Sequence, residues 1–447
     1  MNGQLASWGR FPKVLQTSQS PHWSADVAPM LADAVARDNT LLPWGNGRSY
    51  GDSCLANSTE LLEMRTLNRW ISVDWESGII RAEAGITLAD VLRFAIPRGW
   101  FLPVTPGTKF VTLGGAVAND VHGKNHHTAG TFGNHVLSFG LVRSDRGSVT
   151  CSPQQETDLF AATVGGLGLS GVITWVELAL QPIQSALIDT VTIPFASLGE
   201  FFDLSAELDA SHEYTVAWID CLAGGDKLGQ GVFFAGNHAI EGPLEVGRRR
   251  GLGFPLTPPV SLVNKLSLRM FNAAYIKSHG QQRSNQQTDW DRFFYPLDAI
   301  ADWNRMYGRK GFQQFQCVVP EATAADACGE MLAVIADSGT GSFLAVLKQF
   351  GGRCSPGLLS FPLAGASLAL DFPNNERAIT PLFRRLDDIV EQAGGRLYPA
   401  KDAHMSAAMF QSSYPNWEKV EAQRDPAIMS RFWNRVTPAN SGASNER

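Results

Sequence analysis

The sequence predicts an α+β protein of two domains, and three observations support this fold class. A chain of 447 residues is longer than one hydrophobic core usually organises, so we expect it to divide. Residues 1–185 are dense in glycine and alternate short apolar strands with helices. From residue 186 the strands lengthen and helices lie between them, which is typical of an α+β domain with an antiparallel sheet. We therefore place the two domains at 1–185 and 186–395.

Apolar spacing predicts the elements of the first domain. Residues 78–84 have the pattern of a strand, and Thr87 has the position of an N-cap for a helix over 88–96. Further strands are predicted over 137–142 and 172–180.

The second domain has longer elements. Strands are predicted over 214–219, 312–319 and 343–350, and helices over 323–338 and 379–393.

Composition and charge exclude several classes of protein. No run of about 18 apolar residues is present, so no membrane-spanning helix is expected. The N-terminal residues lack the apolar centre of a signal peptide, and we expect a cytoplasmic protein. The six cysteines have neither metal-ligand nor redox-motif spacing, which fits a reducing compartment and argues against structural zinc. The net charge of −6 argues against a general nucleic-acid binder.

Three glycine-rich segments in the first domain are candidate anion-binding loops. We name them the first (45–52), second (106–123) and third (165–171) glycine loops. Glycine lets backbone N–H groups turn toward an anion and lets the chain approach it closely. Ordinary turn chemistry explains any single loop equally well, but three in one domain favour a dinucleotide with a diphosphate.

The third glycine loop also satisfies the pattern G-x-G-x-x-G through Gly166, Gly168 and Gly171. That pattern indicates a Rossmann site only when it follows a strand and opens a helix. Here residues 158–164 are predicted to be helical and residues 172–178 to form a strand. The order is reversed, so a Rossmann NAD site is not predicted.

The glycine loops resemble the FAD domain of the vanillyl-alcohol-oxidase type of flavoprotein. Within them GRSYGD (47–52), HGKNHH (122–127) and FGNHV (132–136) resemble the decaprenylphosphoryl-β-D-ribose oxidase branch of that family. The resemblance covers nearly the whole chain, since it continues through residues 314–316, 343–348, 370–373 and 398–402.

This resemblance implies a two-domain flavoprotein in which residues 396–447 return to complete the FAD-binding domain. The second domain would cover the isoalloxazine ring and form the substrate pocket. The residues that the resemblance assigns to FAD are Gly45, Asn46, Gly47, Arg48, Ser49, Tyr50, Pro106, Gly107, Thr112, Gly114, Gly115, Asn119, His122, Gly123, Gly168, Gly171, Ile173 and Tyr398.

Two positions depart from some relatives. Many family members tether FAD through a histidine in the first glycine loop, whereas this loop reads Arg48-Ser49-Tyr50, so we expect non-covalent FAD. Ala369 stands where some close relatives carry cysteine, which argues against a cysteine-dependent mechanism.

The resemblance also implies a reaction. Related enzymes oxidise the 2-hydroxyl of a lipid-linked ribofuranose phosphate to a ketone by hydride transfer to flavin N5. A separate NAD(P)H-dependent reductase partner then returns the arabinose epimer. Two alternatives stay open: an oxidase of a soluble polyol or aldonolactone, and a non-catalytic polyprenyl-sugar binding protein.

Such an oxidation needs a group that takes the hydroxyl proton. Lys401 is the first candidate, because a desolvated lysine has a lowered pKa; the alternative is a surface lysine. His122 is the second candidate, or else a structural histidine that holds its loop. Tyr50, in the flavin loop, is a third residue expected near the ring or the substrate.

Substrate-binding candidates come from both domains. Gln314 and Gln316 alternate onto one face of a strand, where paired amides suit sugar hydroxyls, unless that face is simply solvated. Lys124 and Lys348 are candidates for binding a phosphate. Trp218, in the strand over 214–219, completes the predicted pocket.

A basic segment over 246–288 predicts contact with a membrane. It holds seven basic residues and no acidic residue, although the protein as a whole is acidic. Apolar residues lie between the basic ones, which suits a mobile lid resting on an anionic membrane surface beside the pocket mouth. An ordinary solvated loop packed on the second domain is the alternative. The basic residues are Arg248, Arg249, Arg250, Lys265, Arg269, Lys277 and Arg283.

Overall fold

The structure is a computed structural model that describes residues 5–245, 252–280 and 282–437. The first part of the chain contains the strands β1 (Thr17–Gln19), β2 (Leu42–Trp44), β3 (Glu60–Glu63), β4 (Trp70–Asp74), β5 (Ile79–Glu83), β6 (Trp100–Phe101), β7 (Val136–Arg143), β8 (Gly147–Cys151), β9 (Val172–Ala179) and β10 (Gln181–Pro182). Its helices are α1 (Val27–Ala36), α2 (Leu88–Ala95), α3 (Leu113–Ala118), α4 (His126–Ala129) and α5 (Thr157–Thr163).

These strands form two main sheets. A parallel three-stranded sheet has the order β1-β3-β2, and an antiparallel five-stranded sheet has the order β4-β5-β9-β7-β8. Helix α2 begins where the sequence predicts it, because the Thr87 side chain accepts a hydrogen bond from the Asp90 N–H at 3.2 Å. The third glycine loop runs from helix α5 into strand β9, so the reversed order that argues against a Rossmann site is confirmed.

The second part of the chain contains the strands β11 (Leu187–Phe195), β12 (Tyr214–Ile219), β13 (Gly231–His238), β14 (Leu252–Gly253), β15 (Ser284–Asp289), β16 (Ile300–Ala301), β17 (Phe312–Pro320), β18 (Ala345–Phe350), β19 (Gly365–Pro373) and β20 (Arg396–Leu397). Its helices are α6 (Leu198–Leu208), α7 (Lys265–Ser278), α8 (Trp290–Phe294), α9 (Ala324–Ser338) and α10 (Glu376–Gln392). The chain continues into α11 (Ala407–Ser413), α12 (Trp417–Gln423) and α13 (Arg431–Val436).

Eight of these strands form one antiparallel sheet in the order β15-β11-β13-β12-β18-β19-β17-β20. Alternation along β17 assigns its two faces: Phe315 and Cys317 pack into the hydrophobic core with residues of α9 and α10, whereas Gln314 and Gln316 face the opposite way. The predicted α+β fold with an antiparallel second sheet is confirmed.

The C-terminal helices pack against the first part of the chain. The Leu41 N–H donates to the Ala427 carbonyl at 2.8 Å, and the Arg431 N–H donates to the Leu55 carbonyl at 2.8 Å. Within the described residues, no helix is both long enough and apolar enough to cross a membrane.

Candidate active site

A central cavity of about 750 Å³ lies between the glycine loops and the open face of the eight-stranded sheet. The first glycine loop contributes residues 45–50, the second contributes residues 106–108, 111–112, 114–115, 118–119 and 121–123, and the third contributes residues 167–168 and 171. Ile173, Tyr398, Lys401 and the substrate-binding candidates Lys124, Trp218, Gln314, Gln316 and Lys348 complete the predicted set. The structure thus brings every predicted site residue to the wall of one cavity.

The first two glycine loops are joined where they meet the cavity. Thr112 caps helix α3 by accepting a hydrogen bond from the Gly115 N–H at 3.2 Å. The same hydroxyl fills the space where a side chain at Gly45 would lie. Asn46 of the first loop donates to the Phe110 carbonyl at 2.7 Å. These contacts join the two loops into one wall of the cavity.

The third glycine loop is open toward the cavity. Gly168 has φ of +75°, a conformation that favours glycine, and a methyl group added there would meet no atom within 4 Å. Close approach of a ligand to this backbone is therefore unobstructed.

Four polar atoms in the cavity wall are buried without a hydrogen-bond partner among the described residues. They are Trp44 Nε1, Arg48 Nε, Ser53 Oγ and His122 Nδ1. Buried polar atoms are nearly always hydrogen-bonded, so several in one wall indicate that a polar ligand completes the site. The Arg48 guanidinium is also held 4.0 Å from the Trp8 ring centroid. A large, partly anionic dinucleotide such as FAD fits this combination of donors, bare backbone and volume.

Lys401 lies in the cavity wall with its ammonium nitrogen 3.7 Å from the centroid of the Tyr50 ring. Burial lowers the pKa of Lys401 to about 7; Asp371 opposes that shift and Lys348 adds to it. Near neutral pH a large fraction of Lys401 is therefore uncharged, and its lone pair is free to accept a proton.

Asp371 is a site residue that the sequence reading did not select. It lies on β19 directly opposite Gln314 of β17, whose amide Nε2 donates to Asp371 Oδ1 at 2.6 Å. Asp371 is completely buried, its Oδ2 has no partner among the described residues, and burial raises its pKa to about 7. Its position opposite Gln314 depends on the register of β17 and β19, and this register cannot be inferred from separate sequence segments.

His122 is held by the strand that carries the two glutamines. The Gln316 amide Nε2 donates to His122 Nε2 at 3.1 Å, which leaves the ring proton on Nδ1. Burial, with Lys348 next, keeps the pKa of His122 well below its usual value, so the ring is neutral at neutral pH. Tyr398 closes this side, since its hydroxyl donates to the Asn119 carbonyl at 2.9 Å.

Lys124 and Lys348 add two further amino groups to the same cavity. Burial lowers the pKa of Lys124 to about 7 and that of Lys348 to about 8. Lys124 Nζ donates to the Phe293 carbonyl and lies 4.2 Å from the Phe293 ring centroid. Three lysines in one cavity favour an anionic ligand, because such a ligand would compensate their mutual repulsion.

The cavity is also lined by residues of β11 and of the basic segment over 246–288. Thr190 and Thr192 of β11 contribute hydroxyl groups, and Tyr275 and His279 come from the C-terminal end of α7. Trp218 contacts this end of α7, with its ring centroid 4.5 Å from that of Tyr275. Thr190 and Thr192 were not predicted, because β11 is distant in sequence from the glycine loops. Tyr275 and His279 belong to the segment that the sequence analysis expected beside the pocket mouth.

Comparison with known proteins agrees with this site. Residues 20–152 match the FAD binding domain family. Over 442 residues the chain is 34% identical to the decaprenylphosphoryl-β-D-ribose oxidase of Mycolicibacterium smegmatis, and the match covers 95% of this chain and 94% of that protein. An uncharacterised protein of Streptomyces coelicolor is 33% identical over 76% of this chain and 96% of its own length. The L-gulonolactone oxidase of Mus musculus is 29% identical over 43% of each chain.

Proposed function

Because the chain belongs to the decaprenylphosphoryl-β-D-ribose oxidase family of FAD-dependent oxidoreductases, we propose that it oxidises the 2-hydroxyl of a polyprenyl-phosphoryl ribose to a ketone. The observation that carries the proposal is the shared cavity. It combines the FAD-binding glycine loops, a lysine with a pKa near neutrality and two further lysines suited to a phosphate.

FAD, when bound, supplies the hydride acceptor at its N5 atom. The protein supplies the proton acceptor and the positioning groups. Lys401 takes the hydroxyl proton in its uncharged form. His122 does not take it, because its only ring lone pair accepts the Gln316 amide; its Nδ1–H instead donates toward the ligand.

The two glutamines orient the sugar. The Gln314 amide nitrogen is engaged by Asp371 and the Gln316 amide nitrogen by His122. Both amide carbonyls are therefore available to accept hydrogen bonds from sugar hydroxyls. Lys124 and Lys348 bind the phosphate as point charges.

Different parts of the chain bind the cofactor and the substrate. Residues 1–185, completed by 396–447, bind FAD, and residues 186–395 bind the substrate. Support comes from the glycine loops on one side of the cavity and the sheet strands on the other. A separate NAD(P)H-dependent reductase then consumes the ketone and returns the arabinose epimer.

Contact with an anionic membrane is the last part of the proposal, with the protein acting in the cytoplasm at the inner face. The basic residues Lys265, Arg269 and Lys277 are exposed on α7. Exposed apolar side chains lie on and before the same helix, including Leu266 at 69% and Met270 at 66% exposure. The residues Arg248, Arg249 and Arg250 of the predicted basic segment lie outside the described residues.

Anaerobic flavin reduction tests the proposed reaction. We expect polyprenyl-phosphoryl ribose to bleach the bound flavin, while free ribose, a soluble polyol and an aldonolactone do so at least tenfold more slowly at equal concentration. Faster bleaching by a soluble sugar would assign the enzyme to soluble substrates, and no bleaching by any of them would leave only a binding role.

A further inference from the structure

An ion network lies behind the cavity wall, outside the residues that face the ligand. Arg435 of α13 is its centre. The guanidinium donates to both carboxylate oxygens of Asp52, at 3.0 and 2.9 Å, and to Asp402 Oδ2 at 2.8 Å. Both carboxylates are buried, and buried carboxylates are stable only when they are paired.

The two carboxylates belong to the two segments that carry Tyr50 and Lys401. Asp52 ends the first glycine loop two residues after Tyr50, and Asp402 directly follows Lys401. Arg435 therefore joins these two segments on the side of the wall away from the cavity. On the cavity side, Lys401 Nζ lies 3.7 Å from the centroid of the Tyr50 ring.

The same two segments are packed directly against each other. The Tyr50 N–H donates to the Ala400 carbonyl at 2.9 Å. A methyl group added at Gly51 would overlap the carbonyl of Asp402. Little freedom is left between the segments as long as the charges behind them remain neutralised.

Asp402 is anchored on its other side as well. Its Oδ1 accepts hydrogen bonds from the backbone N–H groups of His404 and Met405, at 3.0 and 2.8 Å. His404 in turn contacts Asp387 of α10 at 3.1 Å. Asp402 thus connects the Lys401 segment to the second part of the chain and, through Arg435, to the first.

We propose that Arg435 is a positioning residue that holds Lys401 against Tyr50 and inside the cavity wall by bridging Asp402 to Asp52. Arginine suits this role because its planar fork engages one carboxylate through two N–H groups and still reaches the other. Lysine provides a single point of charge and cannot reproduce the bridge. The inference uses the proposed function only for the chemistry assigned to Lys401.

The test measures Lys401 itself, in addition to turnover. Deprotonated lysines react with acetic anhydride, so the pH dependence of Lys401 acetylation, read by mass spectrometry on the FAD-bound protein, reports its pKa. In the wild type the midpoint should lie near the value of about 7. In Arg435→Met the released lysine should gain water and its midpoint should rise by a unit or more toward about 10.4.

Turnover per bound flavin should fall in parallel, by up to about 10²-fold, since small misplacements of a reacting group have effects of that size. Arg435→Lys should be only partly active. Arg424→Met is the matched control, because Arg424 also forks onto a carboxylate, that of Glu421, at 2.9 Å in the C-terminal helices. Its loss should lower thermal stability without moving the Lys401 midpoint.

An unchanged Lys401 midpoint in folded Arg435→Met protein would overturn the inference. If that variant does not fold, two others provide the same readout: Arg435→Lys, which keeps the positive charge, and Asp52→Asn, which removes one of the two carboxylates that Arg435 bridges. An unchanged midpoint in both counts equally against the inference. A shifted midpoint in a protein whose flavin no sugar reduces would reject the proposed function and leave the positioning role of Arg435 standing.

Discussion

The pKa of Lys401 is lowered mainly by burial and is adjusted by two charged neighbours, Asp371 and Lys348. Burial and the cation of Lys348 lower it, and the carboxylate of Asp371 raises it. This balance keeps the amine poised near neutrality, where a proton acceptor works best.

Replacement of Lys401 by alanine should retain FAD and remove most turnover. FAD is assigned to loops elsewhere, whereas loss of a positioned proton acceptor typically lowers a rate by roughly 10²–10⁴-fold. The measurements are flavin absorbance after gel filtration and the rate of anaerobic flavin reduction. Lys227→Ala, which changes an exposed lysine, is the control. Near-normal reduction in the Lys401 variant would show that this amine plays no part in the chemistry.

Replacement of Asp371 by asparagine should move the pH profile. Asp371 raises the pKa of Lys401, so removing its charge should lower that pKa further. The uncharged amine would then persist at lower pH, and the acidic limb of flavin reduction against pH should shift downward. A shift upward, or none, would contradict the assignment of that limb to Lys401.

Among single residues, the sequence identifies those that lie within a motif of the related flavoproteins. Lys401, His122 and the two glutamines fall within recognisable segments and do line the cavity. Asp371 and Arg435 could not be predicted, because their importance depends on which strands are neighbours and on where the C-terminal helices return.

Among the elements, helix α7 has two different faces. Leu268 and Asn272 are buried, and the Asn272 amide donates to Asp220 at 2.5 Å, so the helix is fixed to the second part of the chain. Leu266 and Met270, one turn apart, are exposed together with Arg269. The outer face therefore combines apolar and basic groups, as interfacial helices do.

Liposome binding tests this face. The protein should bind anionic liposomes weakly, dissociate from them at high salt and not bind neutral liposomes. The reason is that each basic residue near an anionic surface contributes on the order of 1 kcal/mol to binding. Leu266→Ser with Met270→Ser should weaken binding, and serine at Arg248, Arg249 and Arg250 should remove most of it.

Leu15→Ser is the matched control for the apolar contribution, because Leu15 is 78% exposed but lies outside this segment. Equal binding to neutral and anionic liposomes would exclude an electrostatic contact.

Element boundaries show what local sequence can and cannot determine. Strand β12 coincides with the predicted 214–219, where five of the six residues are β-branched or aromatic. Helix α7 begins at Lys265, because the Asn264 side chain accepts the N–H groups of Leu266 and Ser267 as an N-cap. The strand predicted from residue 343 begins at Ala345.

Across the whole molecule, the cofactor site draws on both parts of the chain. The cavity wall includes the glycine loops, strands of the eight-stranded sheet and Tyr398 from the C-terminal return. Glycine content and strand length in the sequence predict two domains, but they do not predict the pairing order of the eight strands, which depends on long-range contacts.

Bound FAD should therefore stabilise the entire protein and should not be covalently attached. Acid precipitation should release the flavin into the supernatant, because Tyr50 occupies the region where a tethering histidine would lie. Removing FAD should lower the melting temperature of both parts together, with saturation at 100 Kd contributing about 2.7 kcal/mol. Flavin retained in the washed pellet would contradict non-covalent binding.

The return of the C-terminal helices to the first part of the chain fixes an order of events during synthesis. Leu41, the residue before β2, and Leu169 of the third glycine loop form backbone hydrogen bonds with Ala427 and Asp425. A nascent chain passes roughly 10–50 s on the ribosome between residue 185 and residue 437 at typical elongation rates. Until residue 398 has been synthesised, the glycine loops exist without Tyr398, Lys401 or Arg435. A chain released before residue 398 would therefore lack Tyr398 and Lys401, two residues of the cavity wall.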